Sequence, residues 1–217
     1  MKFKAAIFDL DGTLLNTLDD IADSMNGALQ RLGLPAWPTD RYRGFVGMGL
    51  DILAARVLPT DRCDEATVSA CLAAMRELYA EAWMRRTMPY EGISATLAAL
   101  RQRGIRCAVL SNKAHEFVLT MVSHFFGDNT FDFVLGGGRF PPKPDPAGAV
   151  HIAASAGIPP SEFVLVGDSD VDMKTACSAG MFPIGATWGF RSRRELRLSG
   201  ARFLAETPAD IVAAVSG

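Results

Sequence analysis

The stretch AIFDLDGT, residues 6–13, determines the fold expected for this 217-residue chain. Its apolar beginning predicts a buried strand, and Gly12 allows the backbone to turn sharply away. Asp9 and Asp11 should therefore lie at the carboxyl end of that strand, where open α/β sheets bind ligands. Two neighbouring carboxylates need a compensating cation or proton, because like charges raise each other's pKa. For this segment alone, an acidic turn without function is an equal alternative, since Asp and Gly are common turn residues.

The composition is that of an ordinary globular protein, with 49% apolar and 21% charged residues. A formal net charge of −2 argues against nucleic acid held by general electrostatics. The four cysteines are widely spaced, which predicts reduced thiols and neither a disulfide framework nor a zinc site. No signal peptide is recognisable, and no apolar run reaches the roughly 18 to 20 residues of a membrane span. We therefore expect a cytoplasmic protein without nucleic-acid or membrane partners.

A helical block follows the first strand and occupies residues 16–87. Apolar side chains at helical spacing predict long helices over 17–34 and 64–86. The intervening segment, 40–58, indicates short helices that are broken by glycines. These glycines are Gly44, Gly47 and Gly49. The block contains no convincing strand, so we predict an all-helical cap inserted after the first strand.

A different pattern begins after Pro89, where short apolar strands alternate with helices of about ten residues. Such alternation implies βαβ units, a parallel sheet and right-handed crossovers. The predicted strands cover 105–110, 131–135, 162–166, 182–187 and 202–204. The fold class is therefore α/β, with a doubly wound, mostly parallel, Rossmann-like core formed by residues 1–15 and 88–217.

Polar residues follow three of the later strands, either at the strand end or in the adjoining loop. They are Ser111, Lys143 and the acidic run from Asp168 to Asp172. Each has an ordinary explanation, because serines and aspartates cap helices and loop lysines are mostly solvated. In a parallel sheet, however, all of these strand ends lie along one edge, beside Asp9. Their coincidence is hard to attribute to chance.

The combined residue types suit a phosphate ester. Asp9 and Asp168 offer hard oxygen ligands for Mg²⁺, which is bound through one or two carboxylates together with substrate phosphate. The Ser111 hydroxyl and the Lys143 ammonium suit the equatorial oxygens of a transferring phosphoryl group. Asp172 lies one helical turn beyond Asp168 and could orient metal-bound water or Lys143.

The chain resembles the haloacid dehalogenase superfamily of phosphohydrolases. The superfamily's DxDGT, Ser/Thr, Lys and GDSxxD motifs occur here in order, at Asp9–Thr13, Ser111, Lys143 and Gly167–Asp172. The resemblance covers the whole chain, and the four motifs together are highly specific. The segment RLGLPAWPTDRYRGFVGMGLDIL looks most like the phosphoglycolate phosphatase branch. SNKAHEF, KPDP and the late Trp188-Gly189-Phe190 support that likeness.

The resemblance implies a role for each motif residue. Asp9 would be the nucleophile that forms an aspartyl-phosphate, and Asp11 would be the general acid and base. The carboxylates of Asp9 and Asp168 and the backbone carbonyl of Asp11 would hold Mg²⁺. Ser111 and Lys143 would hold the phosphoryl oxygens, and Lys143 would also neutralise Asp9. The supporting residues would be Thr13, Asn112, Gly167, Ser169 and Asp172.

Substrate choice should come from the cap, because the core contacts only phosphate. The candidate substrate-binding residues are Arg43, Gly47, Lys113 and His115. Glycines allow close backbone approach, and an arginine can bind a carboxylate with two hydrogen bonds. We expect a Mg²⁺-dependent phosphatase, monomeric or homodimeric, that acts on a small phosphorylated metabolite, with 2-phosphoglycolate favoured.

Other functions remain open from the sequence. A β-phosphoglucomutase-like phosphomutase would form the same aspartyl-phosphate and pass it to a sugar. Pyrophosphatase or nucleotidase activity is possible in the same superfamily. A phospho-accepting signalling module also gathers Asp, Ser/Thr and Lys around Mg²⁺, but it needs neither a helical cap nor the acid-base role of Asp11.

Overall fold

The computed structural model describes residues 3–216 and contains eight strands and ten α-helices within that range. The strands are β1 (Ala5–Phe8), β2 (Leu15–Asn16), β3 (Met88–Pro89), β4 (Arg106–Ala114), β5 (Phe133–Gly137), β6 (Phe163–Gly167), β7 (Phe182–Ala186) and β8 (Phe203–Ala205). The helices are α1 (Leu18–Arg31), α2 (Tyr42–Phe45), α3 (Leu50–Val57), α4 (Glu65–Ala82), α5 (Ile93–Gln102), α6 (His115–Phe126), α7 (Ala147–Ala156), α8 (Asp170–Ser178), α9 (Arg193–Leu198) and α10 (Pro208–Ser216).

Six strands form a sheet in the order β5-β4-β1-β6-β7-β8, and every adjacent pair runs parallel. From β1 the chain builds outward through β4 to β5, then returns to β6 and builds outward on the other side. Strand order therefore reverses beside β1, which makes its carboxyl end a topological switch point. The predicted mostly parallel α/β fold is confirmed.

The buried core lies on the sheet around β1. All four β1 residues are at most 1% exposed, as expected for a strand covered on both faces. Ile7, Ala108 and Leu165 from neighbouring strands belong to one apolar cluster, to which Ile152 of α7 and Ala176 of α8 also contribute. This packing holds the three central strands in a fixed register, and so it also fixes where the loops after them begin.

The chain forms two compact units, Met1–Leu15 with Pro89–Gly217, and Asn16–Met88. The first contains the parallel sheet and the second contains α1 to α4. Within the second unit α1 packs against α4, and Gly27 brings α1 close to Leu78, which an added Cβ would meet at 2.9 Å. No helix in the range 3–216 combines the length and the apolar character needed to cross a membrane.

Two local expectations are wrong. Gly44 does not break a helix but lies inside α2, whose last carbonyls at Gly44 and Phe45 accept hydrogen bonds from Arg56. The strand predicted to stop before Ser111 continues as β4 to Ala114, with an irregular register after Leu110. Both differences depend on partners distant in sequence, which a local pattern does not contain.

Candidate active site

The strand register places the predicted site residues together at the switch point. Phe8 lies opposite Val109 of β4 and Val166 of β6, so the residues that follow these three positions leave the sheet side by side. The Asp9 backbone N–H donates to the Val166 carbonyl at 2.9 Å. Asp168 follows two residues after Val166, and this geometry brings two carboxylates from distant sequence positions to one place.

Asp9 is a buried carboxylate, 8% exposed, and one of its two oxygens contacts other groups of the protein. Its Oδ1 accepts from the Leu10 backbone N–H at 2.7 Å and lies 2.9 Å from Lys143 Nζ. Burial, reinforced by the charge of Asp172, raises the pKa of Asp9 from 3.8 to about 7, although Lys143 opposes the shift. The second oxygen, Oδ2, accepts no hydrogen bond from residues 3–216 and remains available for a ligand.

Lys143 is almost fully buried at 4% exposure and contacts two carboxylates. Its Nζ lies 2.6 Å from Asp172 Oδ1 and 2.9 Å from Asp9 Oδ1. Burial alone would lower the pKa of Lys143, but Asp172 and Asp9 raise it above its ordinary value. The lysine therefore carries a positive charge deep in the site, where charge interacts strongly.

Asp172 is held rigidly from its other side. Its Oδ2 accepts from the Ser169 backbone N–H at 3.1 Å and from the Ser169 hydroxyl at 2.5 Å. These contacts form a capping box at the start of α8, which satisfies helix N–H groups that would otherwise lack partners. Gly167 permits this arrangement, since an added Cβ would overlap the Asp172 side chain.

Asn112 fixes the backbone that carries Lys143. Its Nδ2 donates to the Lys143 carbonyl at 2.9 Å, and its Oδ1 accepts from the Lys143 N–H at 2.7 Å. This two-way contact ties the end of β4 to the loop after β5. Asn112 therefore fixes the backbone position of Lys143, and Asp9 and Asp172 fix the position of its ammonium group.

Asp168 is held by two segments from opposite ends of the chain. Its Oδ2 accepts from the Phe190 backbone N–H at 2.6 Å, and its Oδ1 accepts from the Thr13 hydroxyl at 3.4 Å. Gly12, at φ +86°, and Gly189 pack so closely that a Cβ on either would overlap the Asp168 side chain. Burial, followed by the charges of Asp172 and Asp9, raises the pKa of Asp168 well above its ordinary value.

This cluster fits a divalent cation. Asp9, Asp168 and Asp172 each offer a carboxylate oxygen within 4.8 Å of the others, and all three side chains are buried. Asp172 uses its oxygens for the Lys143 ammonium and for Ser169, and Asp168 accepts hydrogen bonds from Phe190 and Thr13. Asp9 keeps its Oδ2 open. Three buried carboxylates with one buried lysine leave negative charge uncompensated, and the raised pKa values of Asp9 and Asp168 express that imbalance. Oxygen ligands of this kind are those that Mg²⁺ prefers.

Ser111 and Lys113 lie on β4, which pairs with β1 on the side opposite β6. Ser111 is 4% exposed, and its Oγ accepts from the Lys113 backbone N–H at 3.2 Å. Lys113 Nζ lies 3.1 and 3.2 Å from the two carboxylate oxygens of Asp11. His115 begins α6, and its Nδ1 accepts from the Gly136 N–H at 3.1 Å.

The remaining candidates lie in the second unit. The Arg43 side chain is 47% exposed and lies 3.7 Å from Asp40 as an ion pair. Gly47 is half-buried, has φ +124°, and belongs to the loop before α3. The structure thus brings together the motif residues of the first unit, whereas Arg43 and Gly47 belong to the second unit.

The loop after β7 is the part of the site that sequence reasoning did not identify. Besides the Phe190 N–H on Asp168, the Trp188 indole Nε1 donates to the Thr13 carbonyl at 3.0 Å. From the sequence, Trp188-Gly189-Phe190 indicates only a likeness to the family. Their signal is a glycine between two aromatic residues directly after a buried strand, which is consistent with close backbone approach.

Comparison with known proteins places the chain among hydrolases. A family model described as haloacid dehalogenase-like hydrolase matches residues 6–186. A phosphoglycolate phosphatase from Pseudomonas putida is 33% identical over 198 residues, which cover 89% of this chain and 72% of the relative. A phosphoglycolate phosphatase from Mannheimia succiniciproducens is 33% identical over 218 positions, covering 97% of each protein.

Solved structures agree with these sequence relationships. A crystal structure from Lactobacillus delbrueckii subsp. bulgaricus matches with a TM-score of 0.94 at 30% identity, covering 99% of both chains. A predicted phosphoglycolate phosphatase from Haemophilus somnus matches with a TM-score of 0.92 at 30% identity, covering 99% of this chain and 98% of that one. The similarity extends over both compact units.

Proposed function

This chain belongs to the haloacid dehalogenase-like hydrolases and is a phosphatase, and we propose that it uses Mg²⁺ to hydrolyse 2-phosphoglycolate to glycolate and phosphate. One observation carries the mechanism: the buried arrangement of Asp9, Lys143, Asp168 and Asp172 at the carboxyl edge of the sheet. The substrate assignment rests on the relatives that bear the name phosphoglycolate phosphatase.

Asp9 is the nucleophile in this proposal. One carboxylate oxygen bonds to phosphorus while the bond from phosphorus to the glycolate oxygen breaks, and Asp11 donates a proton to that departing oxygen. Asp11 then takes a proton from the water that attacks the aspartyl-phosphate, which releases phosphate and restores Asp9. General acid and base catalysis of this kind contributes about 10²–10⁴-fold.

Ser111 and Lys143 bind the phosphoryl group. Because the Ser111 Oγ accepts the Lys113 backbone N–H, its own hydroxyl hydrogen is free to point toward a phosphoryl oxygen. Lys143 offers positive charge beside Asp9, which reduces repulsion between that carboxylate and an anionic substrate. Mg²⁺, held by the carboxylates of Asp9 and Asp168 and the carbonyl of Asp11, supplies further positive charge when it is bound.

Substrate selection is assigned to the second unit, which we propose acts as the cap. Arg43 is the candidate for the glycolate carboxylate, since its guanidinium can bind a carboxylate through two hydrogen bonds. Gly47 would allow close backbone approach in the same segment. His115, at the edge of the phosphoryl site, is a further candidate for contact with the leaving group.

The test is phosphate release from a panel of small phosphate esters, sugar phosphates, nucleotides and pyrophosphate, with Mg²⁺ or with a chelator. We expect Mg²⁺-dependent release, fastest with 2-phosphoglycolate. Asp9→Asn should abolish release without unfolding the protein, whereas Asp61→Asn, at an exposed position of the second unit, should leave it unchanged.

Retained Mg²⁺-dependent hydrolysis in Asp9→Asn would refute the nucleophile. Isomerised sugar phosphate in place of free phosphate would identify a phosphomutase. Faster turnover of another ester would reject 2-phosphoglycolate and leave the phosphatase mechanism in place.

A further inference from the structure

We propose that Lys113 is a positioning residue that holds the Asp11 carboxylate at the phosphoryl site. The inference deepens the proposed function and rests on it, because Asp11 is the acid and base of that reaction. It replaces the expectation that Lys113 binds the substrate itself.

The contact between the two residues is specific. Lys113 Nζ lies 3.1 Å from Asp11 Oδ1 and 3.2 Å from Oδ2, so a single ammonium group contacts both carboxylate oxygens. The side chains are only 11% and 13% exposed, which distinguishes the pair from surface ion pairs that solvent screens. A carboxylate bound at both oxygens is restricted in rotation about its last side-chain bond. Asp11 is therefore held in one orientation before substrate arrives.

The backbone beneath Lys113 is itself fixed on two sides. Its N–H donates to the Ser111 Oγ, and its carbonyl lies where a Cβ on Gly136 would meet it at 2.9 Å. Gly136 and Gly137 therefore allow β5 to approach residues 112–115 more closely than larger residues would. His115 adds a hydrogen bond from the Gly136 N–H to its ring. Lys113 thus projects from a rigid segment.

The arrangement links two functions through one short piece of chain. Ser111 is the residue proposed to bind the phosphoryl oxygens, and Lys113 follows it by two positions. Residues 111–113 therefore set both the position of the phosphoryl group and the position of the Asp11 carboxylate. Because misplacement by about 1 Å can cost about 100-fold in rate, this fixed spacing matters for proton delivery.

The experiment measures release of the leaving group in the first turnover, with Mg²⁺ present. Two substrates are compared: the alkyl phosphate that the enzyme hydrolyses fastest, and 4-nitrophenyl phosphate, whose phenolate departs without a proton. Lys113→Met should slow release from the alkyl phosphate by about 10–100-fold, a part of the 10²–10⁴-fold that acid catalysis provides. Release from 4-nitrophenyl phosphate should fall by less than about 3-fold, and KM should change little for either substrate.

Three further variants make the test selective. Lys113→Arg keeps a cation near Asp11 and should restore most of the rate with the alkyl phosphate. Lys4→Met removes a lysine from the exposed ion pair with Glu162 at the opposite end of β1 and should have no effect. The Asp11→Asn, Lys113→Met double variant should be no slower than Asp11→Asn alone, because Lys113 acts only through Asp11. Circular dichroism and thermal melting confirm that each variant is folded.

Three outcomes would overturn the proposal. The first is equal loss with both substrates, and the second is an additive loss in the double variant. The third is a KM raised about tenfold or more only for carboxylate-bearing esters with kcat unchanged, which would show that Lys113 binds substrate. Failure of the proposed function is distinguishable, since it appears as an undiminished first turnover in Asp11→Asn or in Asp9→Asn.

Discussion

Lys143 is the residue on which the charge balance of the site depends. It lies between Asp9 and Asp172 at 4% exposure, with Asp168 in the same cluster. A buried charge is tolerated when contacts with opposite charges offset its desolvation. Removing one partner leaves the other charge buried and uncompensated, which destabilises the fold. Lys143 therefore has a structural role beside its proposed role in binding phosphate.

Lys143→Met should show both roles. We expect loss of phosphatase activity and a decrease of about 3–5 kcal/mol in the free energy of unfolding, because two buried carboxylates lose their cation. Urea denaturation measures the second effect. The matched control is Lys174→Met, which removes the exposed pair with Asp170 and should cost no more than about 1 kcal/mol. Equal costs in the two variants would contradict this account of Lys143.

At this scale the sequence named the motif residues and several side chains that contact them, such as Asn112, Ser169 and Asp172, but not the backbone donors. Asp9, Ser111, Lys143 and Asp168 were identifiable because each follows a recognisable strand and carries reactive chemistry. The contribution of the Phe190 N–H was not, since a backbone donor has no residue type to recognise. The burial of Lys143 was not predictable either. Loop lysines are mostly solvated, and this one is buried because it pairs with two aspartates that are distant in sequence.

At the scale of elements, the alternation of strands and helices made the sheet predictable, because each unit is encoded in a short window. The continuation of β4 to Ala114 was not predictable in this way. It depends on Gly136 and Gly137, whose missing side chains admit the neighbouring backbone. The expectation that Gly44 breaks a helix fails for a related reason, since Arg56 donates hydrogen bonds to the last carbonyls of α2.

The start of α1 is tied to the segment after α4 by one buried aspartate. Asp20 is 2% exposed and accepts hydrogen bonds from the backbone N–H groups of Arg86 and Thr87 and from the Thr87 hydroxyl. The guanidinium of Arg86 also pairs with the exposed Asp23. Asp20 therefore links the beginning of the second unit to its end.

Asp20→Ala should destabilise the second unit by about 2–4 kcal/mol, since the buried N–H and hydroxyl of Thr87 and the part-buried N–H of Arg86 lose their acceptor. Asp23→Ala removes only an exposed ion pair and should cost no more than about 1 kcal/mol. Hydrogen exchange resolved by residue gives the free energy of opening for α1 and α4. Similar exchange in both variants would show that Asp20 is not the anchor.

At the scale of the whole molecule, the buried carboxylates should make the stability of the fold depend on pH and on the proposed divalent cation. The pKa of Asp9 rises from 3.8 to about 7 on folding, so the metal-free folded protein binds a proton more tightly than the unfolded chain. The stabilisation from that proton is complete below about pH 4 and is lost as pH rises through about 7. Above that pH, a divalent cation can take the place of the proton.

Mg²⁺ should therefore raise the melting temperature more at pH 8 than at pH 5.5. A cation present at 100 times its dissociation constant adds about 2.7 kcal/mol, and protons compete with it at the lower pH. Thermal melts with Mg²⁺ and with a chelator at both pH values make the measurement. The same Mg²⁺-induced shift at both pH values, or an unreduced shift in Asp168→Asn, would contradict the proposed ligands.

The close packing of Gly12 and Gly189 around Asp168 also has a consequence for synthesis on the ribosome. Asp9, the proposed nucleophile, is translated before the helical insertion, whereas Asp168, the second proposed metal ligand, follows only after the entire insertion has been made. Asp168 then has no hydrogen bond from Phe190 until another 22 residues have been added. A nascent chain therefore contains its whole insertion before it contains every residue of the proposed catalytic centre, so we expect a stalled fragment lacking the loop after β7 to be inert toward phosphate esters.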